Sequence, residues 1–167
     1  MSTMWAPWRM EYILSSKKKN GCVFCLDNFE QKLSEEDAER LVVYKGKHVF
    51  VMLNRYPYAA GHLLVIPYRH VMDLTDLSID ERTEFMEAVN LSCKAIRHVC
   101  HPDGINMGIN LGKAAGAGIS EHLHGHLVPR WEGDSQFIAV VADVRLIPER
   151  LETMQKTFAL AFKEIID

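Results

Sequence analysis

At 167 residues, 48% apolar and 25% charged, the chain has the length for one domain with a substantial core, and its composition excludes disorder. A net charge of −3 supplies no general field for a nucleic-acid polymer, although a nucleotide needs only a few local donors. Met1 to Leu14 lacks the continuous apolar stretch of a signal peptide, and runs such as Phe137 to Ala142 are too short to span a bilayer. The expected compartment is the cytoplasm, with no membrane contact.

In chain order, Trp5, Trp8 and Tyr12 suit one face of a short helix after Pro7, an arm that packs on the core or on a partner subunit. Lys17 to Gly21 is a solvated turn. Cys22-Val23-Phe24-Cys25 in a chain without a secretory signal suits a metal site or a redox motif better than a disulfide framework. Asp27 to Arg40 is polar and acidic, fit for a loop or short helix. Leu41 to Tyr44 is predicted as a strand, Lys45-Gly46-Lys47 as a turn, and His48 to Leu53 as the antiparallel partner. Asn54 to Gly61 connects to a buried strand, His62 to Pro67, ended by proline. Ser78 is the expected N-cap of a helix running to about Val99, with Glu81 completing a capping box. Its apolar stripe is Phe85, Val89, Ile96 and their helical neighbours. Cys93 and Cys100 are expected as buried free thiols.

Gly104 to Asn110 is predicted as a strand, Leu111 to Ile119 as a glycine- and alanine-rich loop, and His122 to Val128 as a further strand. Phe137 to Leu146 is predicted as extended. From Pro148 a terminal helix is expected to bury Leu151, Met154, Phe158, Phe162 and Ile165. Strands and helices segregate along the chain, which favours an α+β fold with an antiparallel sheet.

The chemistry concentrates in Glu121 to Trp131. His122, His124 and His126 alternate, so a strand would present all three imidazoles on one face. Packing three rings together is unfavourable unless each has hydrogen-bond partners, and neighbouring rings resist joint protonation. The small residues of Gly112 to Gly118 let backbone N–H groups approach a ligand closely, as phosphate oxygens require. A histidine held in one tautomer can attack phosphorus, while a second donates to the charge that develops on the phosphoryl oxygens.

These residues resemble the histidine-triad (HIT) family of nucleotidyl hydrolases and transferases. The family pattern His-φ-His-φ-His-φ-φ is met by His122-Leu123-His124-Gly125-His126-Leu127-Val128, with Gly125 in place of a bulky apolar residue. The resemblance extends over Val49 to Pro57, Gly61 to His70 and Asn110 to Gly112, and covers roughly residues 22 to 131. Pro129 to Asp134 and the Trp-x-Pro-Trp-Arg opening are similar to the branch that includes bacterial diadenosine tetraphosphate phosphorylases.

The resemblance implies a single domain over residues 1–167, a HIT-like half-barrel. It would comprise a five-stranded antiparallel sheet, a long central helix, an aromatic arm over 1–21 and a C-terminal helix over 147–167. It implies that His124 is the nucleophile and that His126 hydrogen-bonds the phosphate. Asn110 and the backbone of Gly116, Ala117 and Gly118 would complete the cradle. Asn54 would meet the ribose, and Phe50, Leu53 and Val51 would wall the base pocket. Zinc-containing members bind the metal at the positions of Cys22, Cys25, His70 and His122, and two thiolates with two imidazoles satisfy tetrahedral zinc. Homodimers are common in the family, and one is expected here.

Many hydrolases of the family read Ala-Gly-Gln-Ser or Ala-Gly-Gln-Thr ahead of the first histidine. This chain has Gly116-Ala117-Gly118-Ile119, with Ser120 displaced by one. The expected substrate is a dinucleoside polyphosphate, and Lys113 or Arg130 would supply charge for a second phosphate. Phosphorolysis is favoured over hydrolysis of dinucleoside polyphosphates or nucleoside phosphoramidates. Two rivals come from other classes. A cupin-type metal site needs a glutamate where Val128 and Pro129 stand, and a non-catalytic nucleotide-binding protein would be expected to lack His124, which is present.

Overall fold

The computed structural model describes residues 21–26, 30, 32–134 and 149–167. The N-terminal arm, apart from Gly21, and the extended segment expected over 137–146 lie outside the described residues.

The acidic stretch forms a short helix, α1 (Glu35–Glu39), started by a reciprocal capping box between Ser34 and Asp37. Strands β1 (Val42–Lys45), β2 (Val49–Leu53) and β3 (Leu63–Pro67) then run as an antiparallel meander. Helix α2 (Ile79–Cys100) follows, capped by Ser78 and Glu81 as predicted. Strands β4 (Gly104–Ile109) and β5 (Gly125–Arg130) pair with each other and complete the sheet in the order β1-β2-β3-β5-β4, with every neighbouring pair antiparallel. Helix α3 (Leu151–Ile166) closes the chain. The α+β class and the five-stranded antiparallel sheet are as expected.

The period of two along each strand separates the two faces of the sheet. Val49, Val51, Leu53, Leu63, Val65 and Leu127 pack with Phe85, Val89 and Ile96 of α2 and Phe158 and Phe162 of α3. Fully burying one such aromatic or aliphatic side chain contributes roughly 1.5–3 kcal/mol, so this face holds most of the core. The opposite face carries Phe50, Leu64 and Ile66, which cluster with Phe24, Leu26 and Val42. Because Leu64 lies directly across from His126 in the β3–β5 register, His126 stands on this second face, away from the long helices.

Two expectations need correction. Regular pairing in the histidine strand begins at Gly125, not His122. His122 and His124 lie in the approach to β5, where the Leu123 N–H donates to the Val71 carbonyl at 2.7 Å instead of joining the ladder. Lys45, expected in a tight turn, is the last residue of β1, and its side chain is fully buried against Asp37 at 3.1 Å. The capping carboxylate in the first turn of α1 therefore also neutralises a lysine in the interior, a pairing between a helix and a strand that local pattern does not reveal.

Candidate functional site

The approach to β5, the head of β3 and the Cys-x-x-Cys turn converge on the sheet face away from α2 and α3. His62 lies in step with Leu64, one pleat beyond the residue opposite His126, and so reaches that histidine diagonally. Its Nε2 is 3.0 Å from His126 Nδ1. The rings of His124 and His126 are 4.9 Å apart. Phe24 brings its ring within 5.0 Å of His124 and 5.8 Å of His122. The β4–β5 register ends at Ile109 opposite Gly125, so Asn110 follows the last paired residue of β4.

Backbone groups fix the proton positions on these rings, because a carbonyl only accepts and an amide N–H only donates. His122 Nε2 is 2.8 Å from the Pro67 carbonyl, so that nitrogen carries the proton and Nδ1 keeps its lone pair. His124 Nδ1 is 2.8 Å from the His122 carbonyl, so Nδ1 carries the proton and the lone pair stays on Nε2. At His62 the sense is reversed, since the Tyr58 backbone N–H donates to Nδ1 at 3.1 Å.

Burial pushes all three β5-side histidines below the ordinary imidazole value. For His122 and His124 it outweighs the opposing pull of the carbonyls they face, while His70 and His124 add to the lowering of His122. His126 is pushed down to about 4 by burial, with His124 contributing. Neutral rings are what both a nucleophile and a metal ligand require.

Cys22, Cys25, His70 and His122 form a group that fits a metal ion, with one ligand atom from each and all four within 4.8 Å of one another. Cys22 Sγ is 3.3 Å and Cys25 Sγ 3.8 Å from His122 Nδ1, and Cys25 Sγ is 3.4 Å from His70 Nδ1. Bond lengths of about 2.3 Å to sulfur and 2.0 Å to nitrogen give a tetrahedral S–N edge of about 3.5 Å. The nitrogen that His122 presents is the one left unprotonated by Pro67. The loop carrying His70 is held by its neighbour, for Arg69 donates to both carboxylate oxygens of Glu81 at 2.9 and 2.8 Å and also to the Asp76 carbonyl. That pairing, stronger than the opposing effect of burial, brings Glu81 down to about 2. The residue capping α2 thus also anchors the His70 loop.

Other expected site residues fall in several places. Phe50 is fully buried on the histidine face, stacked on Tyr68 at 5.4 Å. Val51 and Leu53 point the other way, into the core beneath α2 and α3, so neither is brought to the pocket wall expected of it. In a strand only alternate residues share a face, and Phe50 takes the site side. Asn54 accepts from the Tyr56 backbone N–H at 3.0 Å and sets its Nδ2 3.3 Å from His62 Nδ1. Gly112 and Gly116, with φ of 81° and 92°, bracket a single turn over Lys113–Ala115. The amides of Gly116 and Ala117 bond back to the Lys113 and Gly112 carbonyls. Lys113 lines an open groove of about 440 Å³ with Asp73, Asp76 and Ser120. Arg130 is committed elsewhere, paired with Asp134 at 2.5 Å and bonded to Asn106.

Sequence reading missed His62 as a site residue. Its signal was a lone polar residue at the head of an otherwise apolar run, Leu63 to Ile66, where a buried imidazole must have partners.

Comparison with known proteins adds an independent line. The family model described as HIT domain matches residues 35–133. An AP-4-A phosphorylase of Mycobacterium tuberculosis is 39% identical over 95% of this chain and 83% of its own length. A bis(5'-adenosyl)-triphosphatase of Saccharomyces cerevisiae is 34% identical over 54% of this chain and 44% of its own. Among solved structures, a Zn-bound histidine triad family protein from Mycobacterium smegmatis superposes with a TM-score of 0.62 at 31% identity. That match covers 75% of this chain and 86% of the other.

Proposed function

This chain belongs to the HIT domain family, and we propose on that premise that it is an enzyme cleaving dinucleoside polyphosphates through a nucleotidyl-His124 intermediate. The observation that carries the reading is the 2.8 Å contact of His124 Nδ1 with the His122 carbonyl, which holds the Nε2 lone pair ready for attack. That lone pair bonds to the α-phosphorus, and the bond to the bridging oxygen breaks, with its electron pair leaving on that oxygen. His126 donates to a non-bridging oxygen as charge builds there. Asn110, just past the last paired residue of β4, and the loop of Gly116, Ala117 and Gly118 flank the phosphates. Asn54 meets the ribose with its remaining amide hydrogen, and Phe50, buried beneath the histidine face, backs the base pocket. A binder with no chemistry to perform has no need of this tautomer.

The acceptor is inorganic phosphate, giving ADP and ATP from diadenosine tetraphosphate. Support comes from Lys113 in its open groove and from the similarity to an AP-4-A phosphorylase. Products separated with and without millimolar phosphate test this. ADP appearing only with phosphate is expected, whereas AMP at equal rates in both would make the enzyme a hydrolase.

The metal is zinc, bound by Cys22, Cys25, His70 and His122 in a closed structural site that holds the chain beside His124. The sulfur and imidazole donor set and the Zn-bound neighbour favour it. The partner is a second copy of the chain, paired through the exposed edge strand β4 and the adjoining α2, which leave Met107 and Met86 more than half exposed. A 19.1 kDa particle by light scattering at micromolar concentration would overturn the dimer. Among the described residues no helix is long and apolar enough to cross a membrane, and a Cys-x-x-Cys pair that serves a metal rather than a disulfide suits the reducing cytoplasm.

A further inference from the structure

The Cys22 to Cys25 turn is gripped by an arginine that is not itself a metal ligand. Arg40 Nη2 donates to the Val23 carbonyl at 2.9 Å and to the Cys25 carbonyl at 2.7 Å. The turn's internal bonds use other groups, for the Cys25 N–H donates to the Cys22 carbonyl at 3.2 Å and the Phe24 N–H to Cys22 Sγ at 3.4 Å. One nitrogen bonded to two carbonyls two residues apart fixes those residues relative to each other, and a guanidinium is always charged.

The chain is shaped to deliver that nitrogen. Arg40 caps the C-terminus of α1, its N–H bonded to the Glu36 carbonyl at 3.0 Å. Leu41, next in the chain, has a φ of 68°, in the left-handed region that leucine seldom adopts. Its N–H bonds to the Ala38 carbonyl at 2.9 Å, and its side chain is buried in the core beneath α2 and α3. This corner sends Leu41 into the core while Arg40 reaches the Cys turn. A second arginine steadies it, since Arg55 donates to the Glu39 carbonyl at 2.9 Å. Backbone held in so unfavourable a conformation is characteristic of positions that serve a site.

We propose that Arg40 is a positioning residue that sets the two thiols and Phe24 in place before any metal arrives. The inference rests on the reading of Cys22, Cys25, His70 and His122 as a zinc site. The two imidazoles have comparable supports, His122 through the Pro67 carbonyl and the His70 loop through Arg69 and Glu81. Arg40 completes the set on the sulfur side. A turn already in its bound shape loses little conformational freedom on binding, so the clasp raises affinity. It has a second effect, because Phe24 lies between the two carbonyls that Arg40 holds. Its ring is 5.0 Å from that of His124, so loosening the turn also loosens the apolar wall beside the nucleophile.

The test uses the full-length protein as purified, with zinc affinity read by competition with a chromophoric chelator. Arg40→Met keeps the aliphatic stem without the donors and should weaken zinc binding by about 10- to 100-fold, the usual effect of losing a group that supports a ligand. Arg40→Lys keeps donors on a shorter stem and should recover part of that loss. Arg55→Met removes the other arginine from the same corner and should leave the affinity nearly unchanged. Unchanged affinity in Arg40→Met would overturn the proposal. So would an equal loss in Arg55→Met, which would trace the effect to α1 rather than to the clasp. Amide hydrogen exchange gives a reading without metal. In protein stripped with EDTA the Phe24 and Cys25 amides should stay protected, and Arg40→Met should lose that protection. Rapid exchange of both in the stripped wild-type protein, local or by general unfolding, would overturn the proposal, as would full protection in stripped Arg40→Met. A wild-type chain that takes up no zinc yet keeps these amides protected would overturn the metal reading and leave the clasp standing.

Discussion

Phe85 of α2 occupies the space a side chain at residue 125 would need. A Cβ placed on Gly125 would lie 2.9 Å from Phe85 Cζ and 3.4 Å from Cε1. The backbone at Gly125 is not in the left-handed region, so the requirement is one of room. This accounts for the position at which the histidine stretch departs from the family pattern, because the helix supplies the apolar bulk that the strand lacks.

Gly125→Val should accordingly destabilise the fold by about 1–3 kcal/mol, the usual cost of overpacking a filled core. Phe85→Leu in the same chain should recover part of the loss, because it clears the ring atoms. Thermal or urea unfolding of the two single variants and the double variant checks this, and simple additivity would mean the two positions do not share the space.

His124→Ala should leave the unfolding midpoint nearly unchanged and abolish turnover of diadenosine tetraphosphate, because nothing else in the site presents the same lone pair to phosphorus. His124→Gly with free imidazole should recover part of the activity. Retention of most activity in the alanine variant would relocate the nucleophile.

Acid should weaken the fold through His126. Its value is about 4 in the native state and near the ordinary 6.5 when unfolded, so the unfolded chain binds the proton first. The associated stability is fully present above pH 6.5 and is lost as pH falls toward 4. With allowance for partial exposure, the loss is roughly 1–3 kcal/mol. Glu81, brought to about 2, contributes its own loss below the ordinary carboxylate value. Urea midpoints across this range, compared with those of His126→Gln, separate the two, since the variant should lack the upper part of the decline.

Metal removal should act on stability and on the site together. The protein purified without chelator should carry about one zinc per chain, and Cys25→Ser or prolonged chelation should lower both metal content and melting temperature. A chain that keeps its melting temperature after metal is stripped would reduce the Cys/His group to packed side chains.

Much of this architecture was legible because periodicity and capping are local. Ser78 and Glu81 start α2 where the sequence places the start, and the short apolar runs of β2 and β3, bounded by turn residues and proline, announce the sheet. What escaped depends on distant partners. Lys45 reads as a turn residue until Asp37 is seen beside it. Leu53 reads as a pocket wall until the pleat is counted from Phe50. His62 reads as a strand terminus until β5 delivers His126 to it. The rings of the triad region were visible, but their protons were not, because the carbonyls of Pro67 and His122 and the amide of Tyr58 that fix them carry no side-chain signature.

Cys22 and His122 stand 100 residues apart in sequence and 3.3 Å apart in space. A bound ion joining them would be a reversible cross-link closing most of the chain into a loop, and its principal cost would fall on the disordered chain. Closing a loop of that length removes about 4–5 kcal/mol of conformational freedom from the denatured ensemble in the chain-entropy treatment used for disulfides. A cell could thus set the lifetime of this fold through free metal concentration. Two thiols must shed protons to bind, so acid would open the loop while also charging the buried imidazoles.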